Sequence, residues 1–182
     1  MRKIIVAMKK VLCMLCMCVL SLSAGAQEQG KGGFWDKCFA EMSIGTGTPS
    51  HHVTPISGGI NVGVNLSERI YLYAGGEGIR GLYEKDEVKT HYKSNALGGG
   101  VGFTFARDDK RQMAWDIRAC VKTSIGNPSW KQTTYDVSVI WKNAGKNRRP
   151  KAFIGLGFRY MDSHTDGIPN LSMLYATVGW YL

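Results

Sequence analysis

Met113-Ala114-Trp115-Asp116-Ile117-Arg118-Ala119-Cys120-Val121-Lys122-Thr123-Ser124 alternates without a break. Met113, Trp115, Ile117, Ala119, Val121 and Thr123 fall on one side, and Ala114, Asp116, Arg118, Cys120, Lys122 and Ser124 on the other. A period of two marks an extended strand, because successive side chains point to opposite faces of a sheet. The charges decide more than the strand does. Three of them on one face require a polar surrounding with opposite signs to pair with, while the other face requires an apolar one.

The same pattern recurs along the chain. In residues 94–107, Leu97, Val101, Phe103 and Phe105 share a face with Gly99, opposite Ala96, Gly98, Gly100, Gly102 and Thr104. In 152–160, Ile154, Leu156, Phe158 and Tyr160 oppose Phe153, Gly155, Gly157 and Arg159. In 57–66, Ile60, Val62, Val64 and Leu66 oppose Asn61, Gly63 and Asn65. Fainter alternation at 38–47, 70–81, 134–141 and 171–182 brings the predicted strands to eight. Gly, Pro, Asn, Asp and Lys clusters separate them, as turn residues do.

An even number of strands permits closure with both chain ends on one side. In hydrocarbon every backbone N–H and C=O needs an internal partner, so an apolar-faced sheet there must close into a barrel. Eight strands leave an interior just wide enough for side chains to fill. The reading is therefore an all-β, eight-stranded antiparallel up-and-down transmembrane barrel with the bulky apolar faces outward. Glu41, Glu77, Asp116, Arg118, Lys122, Asp136 and Arg159 are expected to point inward and pair, plugging the lumen. Tyr71, Tyr73, Trp115, Tyr135, Trp141, Phe158, Tyr160, Trp180 and Tyr181 are expected to form the aromatic girdles of such a barrel. The connections 48–55, 82–93, 125–133 and 161–170 are on average longer than 66–69, 107–112 and 142–151, and the longer set is expected to face outward from the cell.

Targeting is read from the start of the chain. Arg2, Lys3, Lys9 and Lys10 precede the apolar run from Val11 to Leu22, and Ala24-Gly25-Ala26 follows it. That order is a secretory signal peptide over 1–26, cut before Gln27. The apolar run is short of the roughly 20 residues of a spanning helix. Cys13, Cys16 and Cys18 lie inside the run rather than after small residues at its end, so lipidation is discounted. Gly30, Lys31, Gly32 and Gly33 make 27–36 a flexible periplasmic leader, and 37–182 is the barrel domain.

Charge and cysteine content exclude other classes. The chain carries 23 basic and 14 acidic residues, a net +9. Four of the basic residues and none of the acidic ones precede the cut, so the mature excess falls to about +5. It is spread through turns, without the clustered basic face that nucleic-acid binding requires. Of five cysteines only Cys38 and Cys120 follow the cut, on the first and fifth strands, and no disulfide framework is indicated.

With these features in place, 37–182 resembles the small outer-membrane barrels typified by the OmpX and OmpA transmembrane domains. The final stretch from Leu174 to Leu182 is similar to the carboxy-terminal assembly signal of that family, with Leu174, Ala176, Val178, Trp180 and Leu182 on one face. It departs from the family in ending on leucine rather than an aromatic residue. The resemblance implies a monomer in the cell outer membrane, bounded by lipid and lipopolysaccharide and inserted by the barrel-assembly machinery. Members differ in task, so fold does not decide function. The expected role is structural or surface-interacting and non-enzymatic, with no cofactor.

Three constellations invite chemistry. Ser163 and His164, with Asp162 and Asp166 nearby, faintly resemble the terminal region of outer-membrane lipid A deacylases. In that family the serine follows the histidine by two positions. Here Ser163 immediately precedes His164, which puts them on opposite faces of a strand, a poor geometry for a nucleophile and its base. A polar loop explains the segment better. His51 and His52 are adjacent and lack the further ligands a metal requires. Gly98-Gly99-Gly100 is followed by a strand, not the helix of a phosphate loop. A lipid A deacylase-like enzyme and a soluble periplasmic lipocalin-like binding barrel stand as the alternatives.

Overall fold

The strands are long because their neighbours, more than their own alternation, dictate where pairing ends. A computed structural model describes residues 37–85, 88–108, 110–143 and 151–181. Its strands are β1 Cys38–Gly47, β2 Val53–Asn65, β3 Ile70–Lys85, β4 Val88–Asp108, β5 Met113–Ser124, β6 Gln132–Asn143, β7 Lys151–Ser163 and β8 Leu171–Tyr181. Each is antiparallel to the next, and β8 pairs with β1 from Glu41↔Tyr181 to Gly47↔Tyr175, so the sheet closes into a barrel. The signal segment 1–26, the leader 27–36 and Leu182 lie outside the described residues.

β5 has the bounds its alternation predicts. Elsewhere parts of the expected connections are strand. Val53 pairs with Tyr83, Leu82 with His91, and Gln132 with Ser163. Residues 82–85 and 88–93 thus continue strands β3 and β4 where a connection is expected. A ladder partner supplies the backbone hydrogen bonds that a polar, weakly alternating stretch does not advertise by itself. β4 gains its β5 partner only from Ala96↔Ser124, so the first residues of β4 stand beyond the end of β5. The β1–β2 connection turns tightly at His51 and His52, both in the left-handed region with φ of 49° and 65°. We refer to the end carrying the β1–β2, β3–β4, β5–β6 and β7–β8 connections as the loop end.

The outer wall is apolar on all eight strands. Ile60, Leu156 and Leu174 are 59%, 66% and 67% exposed, and Trp115, Tyr135, Trp141, Phe158 and Trp180 also lie outside. Tyr71 and Tyr73 correct the girdle expectation, for both are buried in the lumen. They share the inward parity of Glu77 on β3, and side-chain parity, not residue type, decides the face.

The interior has two zones. At mid-barrel it is ionic. Toward the loop end it is apolar, with Val53, Ile79, Trp130, Met161, Leu171 and Met173 buried together with Ile168, and Tyr83 and Tyr92 packed against them. A uniformly polar lining is therefore not what fills this barrel. The strand tips carry apolar residues at inward positions, and Trp130 and Ile168 fold in from the β5–β6 and β7–β8 connections to cover them.

Glycine makes room for the larger interior rings. A Cβ on Gly102 would collide with the Tyr71 ring, and one on Gly45 with the Tyr175 hydroxyl.

Candidate functional site

The mid-barrel charges arise from five strands whose inward parities coincide at one height. Two clusters form. In the first, Arg118 on β5 reaches across to Glu41 on β1, its Nη1 donating to Oε1 at 2.9 Å and to Oε2 at 3.0 Å. Asn61 Nδ2 donates to the same Glu41 Oε1 at 2.8 Å. Arg118 Nε donates to Tyr71 Oη at 2.6 Å, and that hydroxyl donates in turn to Asp116 Oδ2 at 2.7 Å. Thr104 Oγ1 donates to the other Asp116 oxygen at 2.8 Å, and Lys142 Nζ lies 2.5 Å from Oδ2.

In the second cluster, Arg159 on β7 serves two carboxylates. Its Nε and Nη2 donate to Asp136 Oδ1 and Oδ2 at 2.6 and 2.7 Å, a bidentate fork. Nη1 donates to Glu77 Oε1 on β3 at 2.9 Å, and Lys122 Nζ donates to Glu77 Oε2 at 2.6 Å. The Arg159 guanidinium also lies 3.8 Å from the centre of the Tyr175 ring. Arg118 is surrounded by rings as well, 5.3 Å from Tyr71, 5.4 Å from Tyr73 and 5.5 Å from Phe153.

Glu41, Glu77, Asp116, Arg118, Lys122, Asp136 and Arg159 are all buried and all belong to these clusters. Lys142 joins them and was assigned by sequence reasoning to the connection after Trp141. The signal that finds it is parity, since Gln132, Thr134, Asp136 and Ile140 precede it on the inward face of β6. With Lys142 the clusters balance at four carboxylates and four cations. Each charge already holds an opposite charge, so the lumen's own groups satisfy one another rather than a solute. A cavity of about 50 Å³ remains between Glu41, Tyr73, Arg118, Lys122, Asp136 and Arg159.

Unpaired polar atoms lie in register with the apolar cap, Ser94 opposite Ile79 and Thr134 opposite Met161. Ser94 Oγ, Thr134 Oγ1, Trp130 Nε1 and both amide atoms of Gln132 are buried without a hydrogen-bond partner in the protein. Buried polar atoms left unpaired cost about 1–3 kcal/mol each.

The other sequence candidates sit near the loop end. Ser163 Oγ accepts from the Thr165 amide at 3.5 Å, whereas His164 Nε2 shares a 3.0 Å hydrogen bond with Thr133 Oγ1. Each side chain is thus engaged with a different partner. His51 Nδ1 is 3.2 Å from Ser50 Oγ, and the His52 ring stands edge-on to Tyr83. Among the described residues no group of three or more His, Cys, Asp or Glu side chains is arranged to hold a metal ion. Neither Cys38 nor Cys120 is in a disulfide. Val178 and Trp180 face outward on β8, beside Ile44 and Met42.

Fold and lumen together define a closed eight-stranded antiparallel barrel, apolar outside, with paired charges at mid-lumen and an apolar cluster toward the loop end. Comparison with protein-family models, with curated proteins and with solved structures finds no match to this chain.

Proposed function

We propose that this chain is an outer-membrane β-barrel protein, exported by its signal segment and inserted as a monomer, with a structural or surface-interacting role and no enzymatic activity. The observation that carries the reading is the inversion of polarity. Soluble proteins rarely expose contiguous apolar patches above a few hundred Å², yet here every strand turns large hydrophobic side chains outward while the paired mid-barrel charges are sealed inside. Lipid is the surrounding that makes such a wall favourable, and closure satisfies its backbone. Outward Val178 and Trp180 on β8, with Leu182 continuing their alternation, fit a signal read by the barrel-assembly machinery. Among the described residues paired charges and buried side chains fill the lumen, so the surfaces left to act are those beyond the lipid, foremost the β3–β4 hairpin that extends past β5.

The test is extraction. Outer-membrane fractions washed with high salt should retain the protein, mild detergent should release it, and the unheated protein should migrate faster on a denaturing gel than the boiled one. Release by salt alone overturns the reading. The hydrolase alternative draws no support from Ser163 and His164, whose side chains hold different partners. A lipid A acyl pattern unchanged by expression of the protein is the expected outcome.

A further inference from the structure

The outer wall carries a trough that the barrel's own packing does not require. It has a volume of about 500 Å³ and is rimmed by Met42, Ile44, Ile60 and Trp180 around the bare backbone of Gly58 and Gly76. The registers Ile44↔Gly58 and Gly58↔Gly78 set one outward row, and Met42↔Ile60 and Ile60↔Gly76 the next. Interior glycines such as Gly102 have no space for a Cβ. Outside, a Cβ on Gly58 would meet nothing closer than 3.8 Å, and one on Gly78 nothing closer than 3.6 Å. Glycine weakens a strand interior and often marks the close approach of something else. At these two positions nothing among the described residues makes that approach.

The next outward row toward the loop end holds Ile56, Arg80 and Lys93, paired as Ile56↔Arg80 and Arg80↔Lys93. Two residues along a strand is about 7 Å, so the cations begin one row beyond Gly78. Both are exposed, and among the described residues neither has an ion-pair partner. Like charges directly opposite each other on paired strands are destabilising. An anion between them removes that penalty.

We propose that the trough and this cation pair bind one molecule of the phosphorylated, multiply acylated glycolipid of the outer leaflet. An acyl chain lies over Gly58 and Gly76, and Arg80 and Lys93 hold a phosphate. The inference rests on the membrane reading, which puts the loop end in the outer leaflet. A second copy of the chain fits less well. Two barrels inserted in the same sense are related by an axis along the membrane normal, which sets the two cation pairs at one height and close together.

The test uses the mature protein extracted from outer membranes in mild detergent, analysed by native mass spectrometry with bis-phosphorylated lipid A as the probe. Dephosphorylated lipid A and phosphatidylethanolamine are the comparison lipids. Wild type should bind one lipid A. Arg80→Gln with Lys93→Gln, Gly58→Val with Gly78→Val, and removal of the lipid phosphates should each weaken binding at least tenfold. Heat-dependent gel mobility reports whether each variant is folded, and if the glycine variant is not, the cation variant decides. Equal binding by folded variants, equal binding of phosphatidylethanolamine, or a dimer that the glycine variant dissolves would overturn the site. A wild type that needs detergent yet binds indifferently removes the site alone, whereas a wild type released by salt removes the membrane reading with it.

Discussion

Arg159 on β7 and Glu77 on β3 join opposite walls of the barrel, Nη1 to Oε1 at 2.9 Å. Arg118 on β5 and Glu41 on β1 make the second such tie. In a ring of eight strands, partners four places apart face each other, so the two ties cross the lumen along different diameters. Desolvation offsets much of the attraction in any buried pair, while loss of one partner leaves an uncompensated charge.

Removing Arg159 should therefore be the most damaging single change in the lumen, because it leaves Asp136 without its cation and Glu77 with Lys122 alone. Arg159→Met is expected to destabilise the barrel by about 3–5 kcal/mol. Adding Asp136→Asn should recover a large part of that loss, since Glu77 keeps Lys122. Urea unfolding in micelles, followed by tryptophan fluorescence, measures both. Equal stability of Arg159→Met and wild type would show that the ties carry no weight.

Lys142→Ala should cost less than Arg159→Met. Asp116 loses its cation but keeps the hydroxyl donors of Tyr71 and Thr104. The same unfolding measurement ranks the two variants, and the reverse order would contradict this assignment.

Gly102→Ala should force the Tyr71 ring aside and loosen its hydrogen bonds to Asp116 and Arg118. Overpacking of this kind costs about 1–3 kcal/mol. Gly58→Ala on the outer wall has open space and should leave stability nearly unchanged. A smaller loss at Gly102 than at Gly58 would refute the packing argument.

Gln132→Leu should stabilise the fold by about 1–2 kcal/mol, since it removes two buried amide atoms that no protein group satisfies. A rise in the unfolding midpoint is the expected result. A fall would mean that the amide is satisfied in a way the protein's own groups do not supply.

Leu156→Arg places a charge on the outer wall of β7, where Leu156 is 66% exposed. In a bilayer this should cost about 2–4 kcal/mol near mid-membrane. Folding into vesicles at increasing urea reads the loss. On a wall facing water the same substitution would be nearly silent, so a silent result contradicts the lipid-facing assignment.

Facing was legible because a strand's side-chain period is two. Asp116, Arg118 and Lys122 must share a face in any strand, and so must Glu77, Tyr71 and Tyr73. Reading the tyrosines by type, as girdle residues, lost what parity already implied. Strand ends were less legible. Leu82↔His91 and Val53↔Tyr83 are rungs whose residues carry little alternation, and their pairing depends on a neighbour that local pattern does not contain.

The order of residues alone determined that eight segments alternate, that a bulky apolar set opposes a set carrying charge, and that glycines fall mostly on the narrower face. Tertiary structure alone decided which charge meets which. Arg159 and Glu77 are 82 positions apart and touch only because closure and strand stagger bring β3 and β7 to one height. It also decided that Trp130 and Ile168 fold inward to cap the loop end, since a connection's direction follows from the walls around it and not from its own residues.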